Sequence, residues 1–481
     1  MEKNDSGRSS WGKTVAAPRD NLLGGSSWEN TIAAISTAQG VGGIGVIRVS
    51  GRDALAIGDR VFQSAGGKKL SQMKGYTAAY GRIRSNGEDI DEAVALVFRA
   101  PHSYTGEDVV EFSCHGGLYL TRRVLRAVLD GGASPAGPGE FTRRAFLNGK
   151  MGLTEAEAVM DMIGAKGRQA ARTALAGRDG AIHKAIASVK DSLVFTAAHL
   201  SAWADYPEED IPQVEEMELT ARLKKAEAAL ERLLSQYDAG KAIREGLNTV
   251  IAGRPNVGKS TLMNLLSGCE RSIVTELPGT TRDVVEETVL VGDVTLRLSD
   301  TAGIRSTEDL VEQIGVNRAK DRVQTADLVL AVFDASQELN EDDRNLLDSL
   351  QGVPSIAVIN KTDLDTKIDV KYIKNKVKQI VFLVASEGKG LEDLQQALAE
   401  LAGTSELEPS EGLLATERQQ QAAKEALACV NEGLEALELG MTLDAVTVSI
   451  EGAVQALLEL TGERASEAVV DQVFHRFCVG K

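Results

Sequence analysis

Gly253-Arg-Pro-Asn-Val-Gly-Lys-Ser260 decides the fold. It follows a short apolar run, Thr249–Ala252, and precedes a helix-forming segment that starts at Lys259. A strand, a glycine loop and a helix in that order form a phosphate cradle. Glycines let backbone N–H groups converge on phosphate oxygens, and the helix N-terminus adds its dipole. Lys259 supplies a point charge for the terminal phosphates, and the Ser260 hydroxyl can ligate Mg²⁺. The expected fold is therefore a Ras-like P-loop α/β domain.

Two further motifs specify the nucleotide. Asn360-Lys-Thr-Asp363 follows the apolar run Ser355–Ile359. A carboxylate there can accept two hydrogen bonds from guanine, which adenine cannot donate, so GTP is preferred over ATP. Val384-Ala-Ser386 stands where a Ser-Ala-Lys loop usually completes the guanine pocket, and Val384 lacks the hydroxyl. Asp300-Thr-Ala-Gly303 ends the run Thr295–Ser299. Asp300 is expected to hold Mg²⁺ and the Gly303 N–H to sense the γ-phosphate. Thr281, in Thr280-Thr-Arg-Asp283, is the second expected Mg²⁺ ligand. Ile304 follows Gly303, where Ras-like GTPases carry the Gln that orients the attacking water. Glu308, Asp309 and Glu312 are the candidates for that task. Arg282, or a monovalent cation held by Asn256, is the candidate for the missing positive charge.

Outward from the cradle, residues 243–404 alternate strand and helix, with a hairpin signal at Gly292-Asp293. Residues 146–242 and 405–481 are Ala-, Glu- and Leu-rich at helical spacing, so the α/β unit reads as an insertion between two parts of one helical domain. Residues 29–145 read as an α+β module. Its strands are expected at Thr31–Ser36, Gly45–Ser50, Tyr76–Ile83, Ala93–Phe98 and Val109–Ser113, followed by a helix to about Leu129. Residues 1–28 are rich in Ser, Gly and Asn and read as a disordered extension.

The chain of 481 residues carries a net charge of −17, which excludes a protein that coats itself in nucleic acid. Residues 401–481 hold 14 Asp or Glu against 5 Lys or Arg, so RNA contact requires a local patch elsewhere or a partner's surface. Cys114, Cys269, Cys429 and Cys478 are scattered without zinc spacing and read as reduced thiols, which points to the cytoplasm. No membrane span is expected.

Several flanking stretches carry a resemblance. They are Gly42-Gly-Ile-Gly-Val-Ile-Arg-Val-Ser50, Tyr104-Thr-Gly-Glu-Asp-Val-Val-Glu111, Pro138-Gly-Glu-Phe-Thr-Arg-Arg-Ala-Phe-Leu-Asn148, Leu153-Thr-Glu-Ala-Glu-Ala158, Asp205-Tyr-Pro-Glu-Glu-Asp210 and Phe477-Cys-Val-Gly-Lys481. With them, residues 29–481 resemble the bacterial tRNA-modification GTPases of the MnmE (TrmE) family. The resemblance implies an N-terminal tetrahydrofolate-binding and dimerising domain, a helical domain, and a G domain inserted into it. It implies a homodimer working with an FAD-dependent MnmG/GidA-type partner on tRNA. Together they add a (carboxymethyl)aminomethyl group to C5 of the wobble uridine, using one carbon from 5-formyl- or methylene-tetrahydrofolate. GTP hydrolysis would be stimulated by K⁺ and by G-domain dimerisation.

Carried over by position, K⁺ would sit on Asn256, Thr275, Leu277 and Thr280, and Glu312 would orient water. Folate contacts would fall on Arg48, Glu111, Lys150 and Lys481. The nucleotide would touch Asn256, Val257, Gly258, Lys259, Ser260 and Thr261, then Thr275, Glu276, Leu277, Pro278, Gly279, Thr280 and Thr281. It would also touch Asp300, Thr301, Ala302 and Gly303, then Asn360, Lys361 and Asp363, and finally Val384, Ala385 and Ser386. Cys478 is either a reactive thiol or a small core residue, and His115 reads as structural. The competing function is a GTP-driven conformational switch or assembly factor without modification chemistry.

Overall fold

The computed structural model describes residues 30–205, 215–268, 287–298, 325–404, 407–408 and 412–481. They fall into two compact units. One is built from residues up to 160 together with 458–481, the other from 161–457.

The first unit is organised on a seven-stranded sheet. Its strands are β1 (Ile32–Ile35), β2 (Ile44–Ser50), β3 (Phe62–Ser64), β4 (Thr77–Ser85), β5 (Glu88–Phe98), β6 (Val109–His115) and β7 (Ser134–Pro135), in the order β3-β4-β5-β6-β2-β1-β7. Helices Ala54–Val61 and Leu118–Asp130 contribute Leu55, Ile57, Val124 and Val128 to a core with Ile47, Val49, Ala95, Val97 and Phe112. Alternation along each strand sends every second side chain into that core. Arg48 and Glu111, partners in the β2–β6 register, fall on the opposite face.

β5 begins at Glu88, five residues before the apolar run at Ala93 that announces it. The two-residue Asn86-Gly87 turn pins the pairing of Ser85 with Glu88, so the acidic stretch is drawn into the ladder. The helix after Gly117 runs Leu118–Asp130, one residue beyond expectation.

Residues 458–481 close this unit. Helix Glu467–His475 sends Val470 and Phe474 into a cluster with Phe146, Leu153 and Phe477. The Phe474 and Phe477 rings lie 5.1 Å apart. Val479 bridges Pro138, and the Ser36 hydroxyl donates to the Gly480 carbonyl at 3.0 Å. Gly480 has φ 100°, and a Cβ there would strike the Ile35 carbonyl, so only glycine fits.

In the second unit, β8 (Leu247–Ala252), β9 (Glu287–Val291), β10 (Val294–Leu298), β11 (Leu328–Asp334), β12 (Ser355–Asn360) and β13 (Gln379–Leu383) form one sheet in the order β13-β12-β11-β8-β10-β9. All neighbours are parallel except the β9–β10 hairpin. β11 is buried at every residue, as a central strand covered on both faces must be. Its Leu328, Leu330 and Val332 enter one core, and Val329, Ala331 and Phe333 enter the other. Helices Arg168–Arg178, Ala181–Asp205, Glu216–Ser235 and Glu417–Glu438 supply the helical remainder that the composition predicts.

Candidate functional site

The strand order reverses at β8, which lies between β11 and β10. Ligands bind in open α/β sheets at such a switch point, beyond the carboxyl end of the strand. Residues 253–258 occupy that position and lead into helix Lys259–Gly268. Gly253 has φ 149°, and a Cβ on it would meet the Val332 carbonyl. Gly258 has φ 104°, and a Cβ would meet the Asn360 amide. Both glycines are thus dictated by the walls of the cradle.

Lys259 curls over the loop, donating to the Gly253 and Arg254 carbonyls at 2.7 Å each. Burial holds its ammonium below the usual lysine range. An anion in the cradle would relieve that desolvation, so the cradle favours a polyphosphate on its own chemistry. Ser260 and Thr261 are exposed at the start of the helix, and Val257 is buried beneath it. Asn256 has φ 64°, a left-handed conformation that Asn tolerates, and it too is exposed.

Asn360 joins the two halves of the site. It is buried, its Nδ2 donates to the Val257 carbonyl at 2.9 Å, and its Oδ1 accepts from the Ala385 N–H at 3.0 Å. The phosphate loop and the base loop are therefore fixed by one side chain. Lys361 extends the link, donating to the Asn256 carbonyl at 2.8 Å and to Asp334 at 2.6 Å. Burial pushes the Asp334 carboxyl up, but hydrogen bonds from Lys361 and Ser336 outweigh it and hold the group below the usual range. Asp363, the carboxylate expected to read the base, is exposed. Val384 is buried and hydrogen-bonds Lys389 through its backbone, so it serves the loop as a spacer. Ser386 is exposed beside it.

The sequence did not single out Asp334. Its signal is a lone acid closing an otherwise apolar strand. Arg254 within the loop pairs with buried Asp343 at 3.4 Å and was also missed. The expectations at Thr275, Glu276, Leu277, Pro278, Gly279, Thr280, Thr281, Asp300, Thr301, Ala302, Gly303 and Glu312 fall outside the described residues, as do those at Arg282, Glu308 and Asp309.

A second constellation lies in the first unit. Arg48 Nε donates to Glu111 Oε1 at 2.7 Å, and the guanidinium stacks over Tyr104 (5.4 Å) and Phe141 (5.5 Å). Lys481 is brought beside this pair, because its carbonyl accepts the Phe141 N–H at 3.1 Å. Burial and then the Arg48 charge lower the Lys481 ammonium, with Glu111 acting oppositely. Tyr104, half-buried and bonded to Thr142 at 2.9 Å, floors the group. Lys150 donates to the Pro101 carbonyl at 3.0 Å, on the loop that leads to Tyr104. A guanidinium–carboxylate pair with an ammonium and aromatic walls suits a flat heterocycle bearing carboxylates. Cys478 is half-buried, with its carbonyl accepting the Gly139 N–H. His115 is exposed and bonded to Asp91 at 2.7 Å, which raises its pKa. Among the described residues no helix is long and apolar enough to cross a membrane, and no cluster of His, Cys, Asp or Glu has the makings of a metal site.

The doubly wound sheet, the glycine cradle at its switch point and the NKxD strand end define a P-loop GTPase. Family models agree: one described as the MnmE helical domain matches residues 153–478, and one described as the GTP-binding protein TrmE N-terminus matches 31–150. The chain is 43% identical over 458 residues to the tRNA modification GTPase MnmE of Alkaliphilus metalliredigens, covering 94% of this chain and 99% of that protein. It is 44% identical over 457 residues to that of Symbiobacterium thermophilum, covering 94% and 100%. Among solved structures, the G domain of the T. maritima FeoB iron transporter is 27% identical, covering 32% of this chain and 98% of that one at a TM-score of 0.25. The chain belongs to the MnmE (TrmE) family of tRNA-modification GTPases, and it is a GTP hydrolase.

Proposed function

We propose that GTP hydrolysis in this chain drives a K⁺-stimulated cycle of G-domain dimerisation that serves chemistry at the tRNA wobble uridine. The G domain, residues 243–404, is in this reading inserted between helical segments 146–242 and 405–481. Lys259 and the loop amides hold the phosphates, Ser260 and Thr281 hold Mg²⁺ with Asp300 behind them, and Asp363 reads guanine. Asn256, Thr275, Leu277 and Thr280 hold K⁺, and Glu312 orients water. A homodimer acts with an FAD-dependent MnmG/GidA-type partner to place a (carboxymethyl)aminomethyl group on C5. The folate that supplies one carbon is bound by Arg48, Glu111, Lys150 and Lys481.

The observation that carries the proposal is the Arg48–Glu111–Lys481 group. A pure switch has no use for a half-buried guanidinium, carboxylate and ammonium walled by Tyr104 and Phe141, 5.4 and 5.5 Å from the guanidinium. The test is calorimetric binding of 5-formyltetrahydrofolate to the full chain, with GTP turnover measured in K⁺ and in Na⁺. Wild type should bind the folate, Arg48→Ala/Glu111→Ala should not, and turnover should be faster in K⁺. Absence of binding at millimolar folate favours the switch without modification chemistry, and equal turnover in both salts removes the cation site.

A further inference from the structure

Basic stretches interrupt the acidic chain, and one of them surrounds a cleft. Residues 51–87 hold seven Lys or Arg against two Asp, a local charge of +5 in a protein of −17. The fold gathers this segment around a cleft of about 620 Å³ at the β3 end of the first sheet. Arg60, Lys68, Lys69 and Arg84 line it, with the Asn86-Gly87 turn on the rim. β3 is an edge strand, and β4 and β5 separate it from β6, so the cleft is distinct from the Arg48–Glu111 group on β2 and β6.

The acids at the cleft are already committed. Asp59 accepts the Leu70 and Ser71 N–H groups, at 2.5 and 3.3 Å. Asp130 is paired with Arg126 at 2.9 Å. The carbonyl at the end of helix Leu118–Asp130 is met by Arg60, which donates to Gly131 at 2.6 Å. Arg84 is shared between Asp89, at 2.7 Å, and Gln63, at 2.9 Å. Lys68 and Lys69 remain. They are exposed, follow Gly66-Gly67 at the tip of a turn, and have no carboxylate partner among the described residues. Two uncompensated ammonium groups on the rim of an open cleft form a surface for a chain of phosphates. On a protein of net charge −17, they also bias the orientation in which a polyanion can approach.

We infer that this cleft takes the phosphodiester backbone of the tRNA, with Lys68 and Lys69 as its phosphate contacts. The inference rests on the reading that this chain serves tRNA modification, and it adds that the chain touches the tRNA itself. Contact is sequence-independent, because no base-reading edge is required of a lysine pair, and it positions the tRNA rather than selecting it.

The test is fluorescence anisotropy of labelled tRNA on the full chain across KCl concentrations. Lys68→Ala/Lys69→Ala should weaken binding roughly tenfold near 0.1 M salt and reduce the slope of log affinity against log salt by about 1.5 to 2. Lys68→Arg/Lys69→Arg should bind as wild type does. GTP turnover should be the same in all three. An unchanged slope in the alanine variant overturns the inference. Equimolar inorganic tripolyphosphate that displaces the tRNA overturns it in favour of a small-anion site. A wild type that binds no tRNA also overturns it. Wobble-uridine content in cells carrying only this protein then reports separately whether the modification reading stands.

Discussion

Replacing Asn360 with alanine breaks the connection between the phosphate loop and the base loop. The side chain makes two hydrogen bonds, to the Val257 carbonyl at 2.9 Å and from the Ala385 N–H at 3.0 Å. Asn360, Val257 and Ala385 are all buried, so water does not replace the lost partners. Each orphaned backbone group costs about 1–3 kcal/mol, and the pair together about 2–4 kcal/mol after local relaxation. If half of that falls on folding, a unit of this size should melt about 2–3 °C lower. The other half reaches the nucleotide, because the two loops must be re-ordered on binding, and 1–2 kcal/mol is about a 5- to 30-fold loss of affinity. Calorimetric melting and titration with a fluorescent GDP analogue measure both. Asn360→Asp separates the contacts, since a carboxylate still accepts from Ala385 but meets the Val257 carbonyl without a donor. It should lose nucleotide affinity too. If Asn360→Ala binds GDP as tightly as wild type and melts at the same temperature, Asn360 is not the tie.

Two other predictions concern the first unit. The Asp91 hydrogen bond raises the His115 pKa above 6.5, so its contribution to folding is fully present below pH 6.5 and is lost as pH rises through the raised value. The His115 ring resonance should titrate above the ordinary value in wild type and return to about 6.5 in Asp91→Asn; no difference between the two refutes the pairing. Gly480→Ala forces a left-handed alanine against the Ile35 carbonyl, at a cost of at least about 1–2 kcal/mol. The Gly139 and Phe141 amides, which donate to Cys478 and Lys481, should then exchange hydrogen roughly tenfold faster, and unchanged protection rejects that fit.

The sequence foretold most clearly what local pattern encodes. β11 and β12 are apolar through 328–333 and 356–359, and Gly292-Asp293 marks its hairpin, so the sheet of the second unit was legible. β3, with three residues, and β7, which includes Pro135, carry no usable periodicity and exist only because neighbouring strands pair with them. In the candidate site, the residues expected to touch a ligand belong to motifs, and most of those that hold them in place do not. Asn360 reads as part of a base-recognition motif, yet its amide lies between Val257 and Ala385. Asp334 and Asp343 are ordinary acids until the fold buries them beside Lys361 and Arg254. The Arg48–Glu111–Lys481 group needs a strand register and a tail contact, neither of which is written in any window of sequence.

That tail contact also sets an order of events during synthesis. Ser36 and Gly480 are bonded across 444 positions. At about 5–20 residues per second, the N-terminal strands leave the ribosome roughly 20–90 s before the segment that completes them. Through that interval β1 lacks its cover, and Arg48 and Glu111 face solvent without Lys481. The nascent sheet needs a chaperone or its own marginal stability to stay unaggregated, while the intervening GTPase unit has all its strands in hand and can fold first.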